Sequence, residues 1–552
     1  MKKILGIFVM FSVMILAGCG SSAVSEPTAT PTPIPIGVNE DLAAIIASAQ
    51  DGEILYLGEG TYQLAEGLTI QKSLTIIGAG MDKTIITTST PIVFTRTTVS
   101  DEGEKQVERY AMLNFDVEGD LTLEGLTLSY SGTDPGYVLH MNNGNLKMDD
   151  CRLQSASRGS EEVPHYAILI LDNDAVAHVE SCIFEGNDID LIDRAPNGIA
   201  PTGTSQIEMT NSQISDVYFG FVSYESALAT LIGNTFSNIG EYAIVLRNTS
   251  SLSANQNEIA GDEQIWGFVC INQGNMVLEE NKINDTAIGI FFDDACGGQA
   301  AKNEISNNTY RGIVVQGTAA PILEENTISV LEGIEVTNDL IGIFFSENGS
   351  GTITGNTIKG FYFGIDIQGN ATATLEENTL TSNEYAISFF NNSSGTVRGN
   401  IMNSKLAGIF VRDSANVILE NNTIIRDGNF EDTAETSQGI TFMDQSSGTA
   451  ANNQVSGYYL GILANTLSTV GLQENTITSC KFGMTFNGYT TIDTTAIGNK
   501  ISQCEMGIEV NEIAAPILEG NEIFSNTWAF DIASTSNPVL NDNNIHDNTY
   551  NE

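Results

Sequence analysis

The chain has 552 residues, with 22 Lys and Arg against 69 Asp and Glu, for a formal net charge of −47. A surface of that sign repels nucleic acid and anionic lipid headgroups, which excludes nucleic acid as a partner. An acidic polysaccharide would have to be met through cations or through a local basic patch.

At the start, MKKILGIFVMFSVMILAGC joins two lysines to a short apolar stretch that ends in Leu16-Ala17-Gly18-Cys19. This resembles a bacterial lipoprotein signal with its lipobox. The resemblance implies a signal peptide over 1–18, acylation of Cys19, and a mature protein tethered to the membrane outside the cytoplasm. Residues 19–37 are rich in Pro and Thr and predict an extended spacer without a packed core.

Folding is expected to begin at NEDLAAIIASAQDG, where Leu42, Ile45, Ile46 and Ala49 share one helical face. The strand-like runs EILYLGEGTY and SLTIIGAG follow directly, so 38–125 read as a capping helix and first coils. From 126 to 552 the chain repeats itself: APILEENTI at Ala320 returns as APILEGNEI at Ala515. The Asn of this phrase recurs from Asn211 and Asn234 through Asn378 and Asn400 to Asn521 and Asn543, mostly every 22 to 24 residues. Leu126, Cys151 and Cys182 hold the same slot upstream. A fixed period of this size marks a solenoid whose repeats bury their apolar faces only against one another.

Each repeat carries a second phrase, such as GIFF at Gly342, GIDI at Gly364 or GIFV at Gly408. These are short alternating strands separated by polar turns, which leaves no room for the outer helix of a leucine-rich repeat. About eighteen rungs at ~4.8 Å each are expected, with the recurrent Asn side chains stacked as a structural ladder. The fold class is therefore an all-β, single-stranded parallel solenoid. The capping helix and the run after it look like the opening coil of the pectin-lyase-like, right-handed parallel β-helix proteins. That superfamily holds lyases, hydrolases, esterases, epimerases, adhesins and inactive repeats, so the likeness fixes fold more than chemistry.

Equivalent positions on adjacent rungs lie within disulfide range, which makes Cys151–Cys182 and Cys480–Cys504 candidate bridges. The alternative is that each is a small apolar ladder residue. Cys270 and Cys296 do not share a slot. The C-terminal NDNNIHDNTYNE stops one strand after the last marker, and an uncovered stack end predicts contact with a second copy.

Four rungs carry inserts at one corner: QSASRGSEEVPHY, EGNDIDLIDRAPN, SVLEGIEVTND and IRDGNFEDTAETSQ. Inserts at one corner project from one edge, often the binding edge. On the adjoining strand face, alternation turns Ile365, Ile387 and Ile409 inward and Asp366, Gln368, Ser388, Phe390, Phe410 and Arg412 outward, flanked by Phe344 and Ser346. Aromatic faces beside amide, hydroxyl and charged groups suit a sugar, so Phe344, Gln368, Ser388, Phe390 and Phe410 are candidate glycan contacts. Asp366 and Arg412 are the candidate catalytic pair for a polysaccharide lyase, with Asp293 and Asp294 as candidate Ca²⁺ ligands. A glycoside hydrolase would need two carboxyls instead.

Other family motifs are missing from the sequence. Neither the Gly-His-Gly and Arg-Ile-Lys segments of polygalacturonases nor the Asp-Pro-His-Glu set of mannuronan epimerases occurs. The repeat style also resembles the NosD-like proteins of copper-site maturation, but His140, His165, His178 and His546 are scattered along the chain. The sequence thus points to a lipid-anchored cell-envelope protein that binds polysaccharide. Cleavage remains open, and so does the alternative of a non-catalytic adhesin or scaffold.

Overall fold

The structure, a computed structural model, describes residues 34–100, 103–161, 163–186, 194–330, 336–426, 437–490 and 493–551. Cys19, the signal and most of the spacer lie outside the described residues, as do the middles of three inserts. The one helix among the described residues, Leu42–Ser48, is capped by Asp41, whose side chain accepts the Ala44 N–H. It buries Leu42 and Ile46 against the first coil, as its periodicity predicts.

Behind the helix rise two parallel sheets of 20 and 36 strands, the first contributing one strand per rung and the second two for most rungs. This makes about twenty turns, against the eighteen expected. Neighbouring rungs pair in register: Ile343, Ile365, Ile387 and Ile409 follow one another directly and are fully buried in the lumen. The glycine of each Gly-Ile phrase is there because the next rung comes close. A Cβ at Gly364 would sit 2.7 Å from the Ala386 carbonyl oxygen.

At the corner between the sheets, the marker asparagines form a continuous chain from Asn234 to Asn543. Asn378 is representative: its backbone N–H and its Nδ2 both donate to Oδ1 of Asn400, each at 2.9 Å, and Nδ2 also donates to the Ile353 carbonyl at 2.7 Å. A buried amide side chain is satisfied only where every rung supplies the same partners, which is why the phrase repeats. One marker slips by a residue. Asn211 takes a left-handed turn conformation, and Ser212 fills its slot, donating its N–H to Asn234.

The cysteine pairing differs from expectation. Cys151, Cys182, Cys480 and Cys504 are buried free thiols, whereas Cys270 and Cys296 are bonded with their Cα atoms 6.1 Å apart. The reason is direction. In the stacked slots each thiol points the same way, donating to the carbonyl two residues earlier: Cys151 to Asp149, Cys182 to Glu180, Cys480 to Thr478 and Cys504 to Ser502. Each stacked thiol is thus turned to a carbonyl of its own rung and stays unbonded to its neighbour. Cys270 and Cys296 leave different slots on neighbouring rungs and meet. Gly274, between them in sequence, leaves room, since a Cβ there would lie 2.9 Å from the Cys270 sulfur.

A feature absent from the sequence-based expectation is an antiparallel hairpin, Ile92–Ser100 with Gly103–Phe115. Its second strand enters the larger sheet beside Tyr137–Met141, and its first strand lies across the sheet's outer face. At the other end of the stack, Val539, Leu540 and Ile545 are exposed.

Candidate functional site

The outer face of the larger sheet is not a bare surface. Alongside the lumen runs a second apolar cluster on the outside, including Phe219, Val245, Val269, Phe291, Val314 and Phe344. Its rungs carry aromatic residues just where the lumen-facing positions alternate outward, so the repeat that builds the core also builds a ring-lined exterior.

The predicted face occupies the rungs after Phe344, whose register partners are Asp366, then Ser388, then Phe410. Asp366, Gln368 and Ser388 are brought together: Ser388 Oγ and Gln368 Nε2 each donate to a different carboxyl oxygen of Asp366 at 2.7 Å. Asp366 itself is fully buried, not presented to solvent. Phe390 and Phe410 are half-buried, with ring centroids 5.9 Å apart. They join Tyr362, Phe363 and Tyr385, three rings outside the expected set, in a cluster with neighbouring centroids 4.9 to 6.0 Å apart. The missed signal is the residue just before the Gly-Ile phrase, where an aromatic recurs in FGIDI and YAISF.

The other two predicted groups lie apart from this centre. Arg412 is exposed and donates to Asp444 at 2.8 Å; no hydrogen bond or ion pair joins it to Asp366. Asp294 adopts the left-handed turn conformation and accepts from Asn272 N–H and Nδ2, which makes it a link in a second corner ladder. Asp293 accepts the Asp294 N–H. Among the described residues no three His, Cys, Asp or Glu side chains are placed to hold a metal ion.

Burial pushes the Asp366 carboxyl up to about 6, against the opposing pull of its Ser388 and Gln368 donors and of the Arg311 charge. Arg311, with its guanidinium carbon 3.8 Å from the Phe344 ring centroid, is lowered by the same desolvation. Because the folded state holds the Asp366 proton more tightly than the unfolded chain, its contribution to stability is full below the ordinary carboxylate range. It is lost as pH rises through about 6. Asp366→Asn is expected to remove that decline and to stabilise the protein at neutral pH by roughly 2 kcal/mol. Thermal melts between acid and neutral pH read it, and identical slopes for both proteins would contradict it.

A second centre lies between the hairpin and the first rungs, in a cleft of about 520 Å³. At its base Arg96, from the hairpin, makes a bidentate pair with Asp172, both bonds at 2.5 Å. Thr202 Oγ1 donates to the same carboxylate at 2.8 Å, and His140 Nε2 lies 2.8 Å from it. His140 Nδ1 meets Asn114 Oδ1 at 2.6 Å, and Phe94 stacks on the imidazole with centroids 4.4 Å apart. These partners outweigh desolvation and hold the Asp172 carboxyl well below its usual range, while the Arg96 guanidinium is held above its own. No local motif announces this network, since Arg96 and Asp172 are 76 residues apart.

Comparison with known proteins agrees with this architecture. A family model described as "Right handed beta helix region" matches residues 191–328 and 438–551. One for "Periplasmic copper-binding protein (NosD)" matches 317–469, and one for "Rhamnogalacturonase A/epimerase, pectate lyase-like" matches 37–245. No curated protein is significantly similar in sequence. Solved structures that resemble the chain include the catalytic unit of a GH87 α-1,3-glucanase from Streptomyces thermodiastaticus, at 15% identity and a TM-score of 0.35, covering 73% of this chain and 70% of that one. A periplasmic alginate epimerase gives 12% identity and 0.31, covering 81% and 83%. The tailspike of E. coli bacteriophage HK620, solved with a pentasaccharide, gives 12% and 0.36, covering 81% and 73%.

Proposed function

Starting from a chain that is a right-handed parallel β-helix of the pectin-lyase-like superfamily, we propose that it binds polysaccharide along the outer face of its larger sheet. The observation that carries the reading is the half-buried platform of Tyr362, Phe363, Tyr385, Phe390 and Phe410. Ring faces take the C–H surface of a sugar, and Gln368 at their edge offers an amide to hydroxyls. We further place the protein outside the cytoplasm, held by a lipid on Cys19. The lipobox-like start supports this, as does the match to a periplasmic family over 317–469. Metabolic labelling with a fatty acid should mark the wild type and leave Cys19→Ser unmarked.

Cleavage is the second reading, and Asp366 favours it. A carboxyl pushed up to about 6 is suited to give a proton near neutral pH. Sealed beneath Ser388 and Gln368, it would have to be uncovered by the substrate.

The test is affinity electrophoresis of a Cys19→Ser protein in gels containing neutral or uronate polysaccharides, with and without Ca²⁺, and mass spectrometry of the supernatant. Retardation by at least one polymer is expected, weakened about tenfold or more by Phe390→Ala with Phe410→Ala. Products that vanish with Asp366→Ala would establish cleavage, and products that vanish with Arg412→Ala would bring that residue into it. Unretarded migration in every polymer would sink the reading.

A further inference from the structure

The hairpin cleft is unused by the platform. Its base, at Thr202, is seven rung steps from Gln368, roughly 34 Å along the stack at ~4.8 Å per rung. We propose that this cleft is a separate binding site for a short, uncharged saccharide or the uncharged end of a glycan chain. The inference rests on the carbohydrate reading above for its class of ligand, and on the cleft alone for its location and specificity.

Size and closure come first. A hollow of about 520 Å³ falls within the range that holds small molecules, and a strand laid over the sheet makes it a cleft, not a flat track. An extended polymer runs along a platform, whereas a cleft backed by a hairpin admits a terminus. The hairpin is held there by Arg96 on Asp172, so the site is already built before a ligand arrives.

Charge then selects the ligand. The lining contains two guanidinium groups, Arg96 and Arg109, and two carboxylates, Asp172 and Glu225. Arg96 is spent on Asp172, and Arg109 donates to the Glu108 carbonyl at 2.8 Å. The four charges balance, in a protein whose net charge is −47. The two guanidiniums of the lining are matched in number by its two carboxylates, and Arg247, outside the lining, is held over the Tyr224 and Phe219 rings at 5.9 Å. The lining itself thus presents no excess positive charge to a uronate or a sulfate. What the walls do offer are groups that both donate and accept, with Tyr224 and Asn248 beside Glu225, over a floor that includes Ile170 and Ala200. That combination of hydroxyl and amide partners with apolar surface matches the hydroxyl edges and C–H faces of a neutral sugar.

The experiment uses the Cys19→Ser chain and four probes, maltose, cellobiose, laminaribiose and digalacturonate, titrated by calorimetry up to ~10 mM, which detects binding down to the millimolar range. At least one neutral disaccharide should bind, and digalacturonate should bind at least tenfold more weakly. Tyr224→Phe combined with Glu225→Gln removes one hydroxyl and one charge without opening the fold, and should weaken the neutral disaccharide at least tenfold. That variant should leave retardation in polysaccharide gels unchanged, and Phe390→Ala with Phe410→Ala should do the reverse. The inference is overturned if no neutral disaccharide binds, if digalacturonate binds best, or if the cleft variant binds as well as the wild type. Loss of gel retardation alone would instead count against the platform.

Discussion

Asp172→Ala should destabilise the protein by about 3–5 kcal/mol, the cost of leaving a buried cation without its anion. The carboxylate holds Arg96, His140 and Thr202 at once, so its removal strands one guanidinium, one imidazole and one hydroxyl in a nearly closed space. Damage should be local first. Amide exchange in Ile92–Ser100 and Gly103–Phe115 should rise before that of the later rungs, because solenoid repeats lean mainly on their neighbours. The pH sign is opposite to that of Asp366. A carboxyl held below its usual range contributes fully above that range, and its contribution is lost as pH falls through the lowered value. Acid should therefore loosen the hairpin while favouring the platform. Replacing both partners, as in Arg96→Met with Asp172→Leu, should recover much of the loss. If the single change left hairpin exchange untouched, the pair would not be the hairpin's anchor.

Asn400→Ala should be comparably costly, again about 3–5 kcal/mol, by another route. Oδ1 of Asn400 accepts from Asn378 N–H and Nδ2, while its own Nδ2 reaches Leu375, Arg398 and Asn422. Its removal leaves a buried backbone donor and buried carbonyls short of partners, and a methyl group cannot replace them. The change at an exposed position, Asn391→Ala, removes only the bonds from Gly369 N–H to Oδ1 and from Nδ2 to Asp413, and should cost markedly less. Chemical denaturation followed by circular dichroism compares the two. Equal midpoints would mean that the corner ladder is not a principal source of stability.

Most of the fold was legible because the repeat unit is its own evidence. An Asn that returns every 22 to 24 residues can be satisfied only by copies of itself, and Ile365, Ile387 and Ile409 declared the lumen by alternation alone. The cysteines show the limit of such reasoning. Stacking predicts proximity but not bonding: the stacked thiols remain free, while Cys270 and Cys296, from different slots, are joined. The platform was half legible: Phe390 and Phe410 lie on the expected face, while Tyr362, Phe363 and Tyr385 complete it from the preceding turns and strand starts. Alternation could not tell outward from exposed, which is how Asp366 came to be expected at the surface. The hairpin was the least legible element, because IVFTRTTVS and the run after it read as further rung strands until Arg96 is seen to meet a residue 76 positions away.

The Cys270–Cys296 link also has a mechanical meaning. It closes a loop with a sequence separation of 26 residues, joining two adjacent turns well inside the stack. If the rod is pulled from its ends and its turns peel away one by one, each freed residue lengthens the chain by up to about 3.4 Å. The closed loop is the exception: its slack stays hidden under any load that spares the sulfur bond. A reducing agent would therefore lengthen the fully extended chain without changing the force at which the other turns detach.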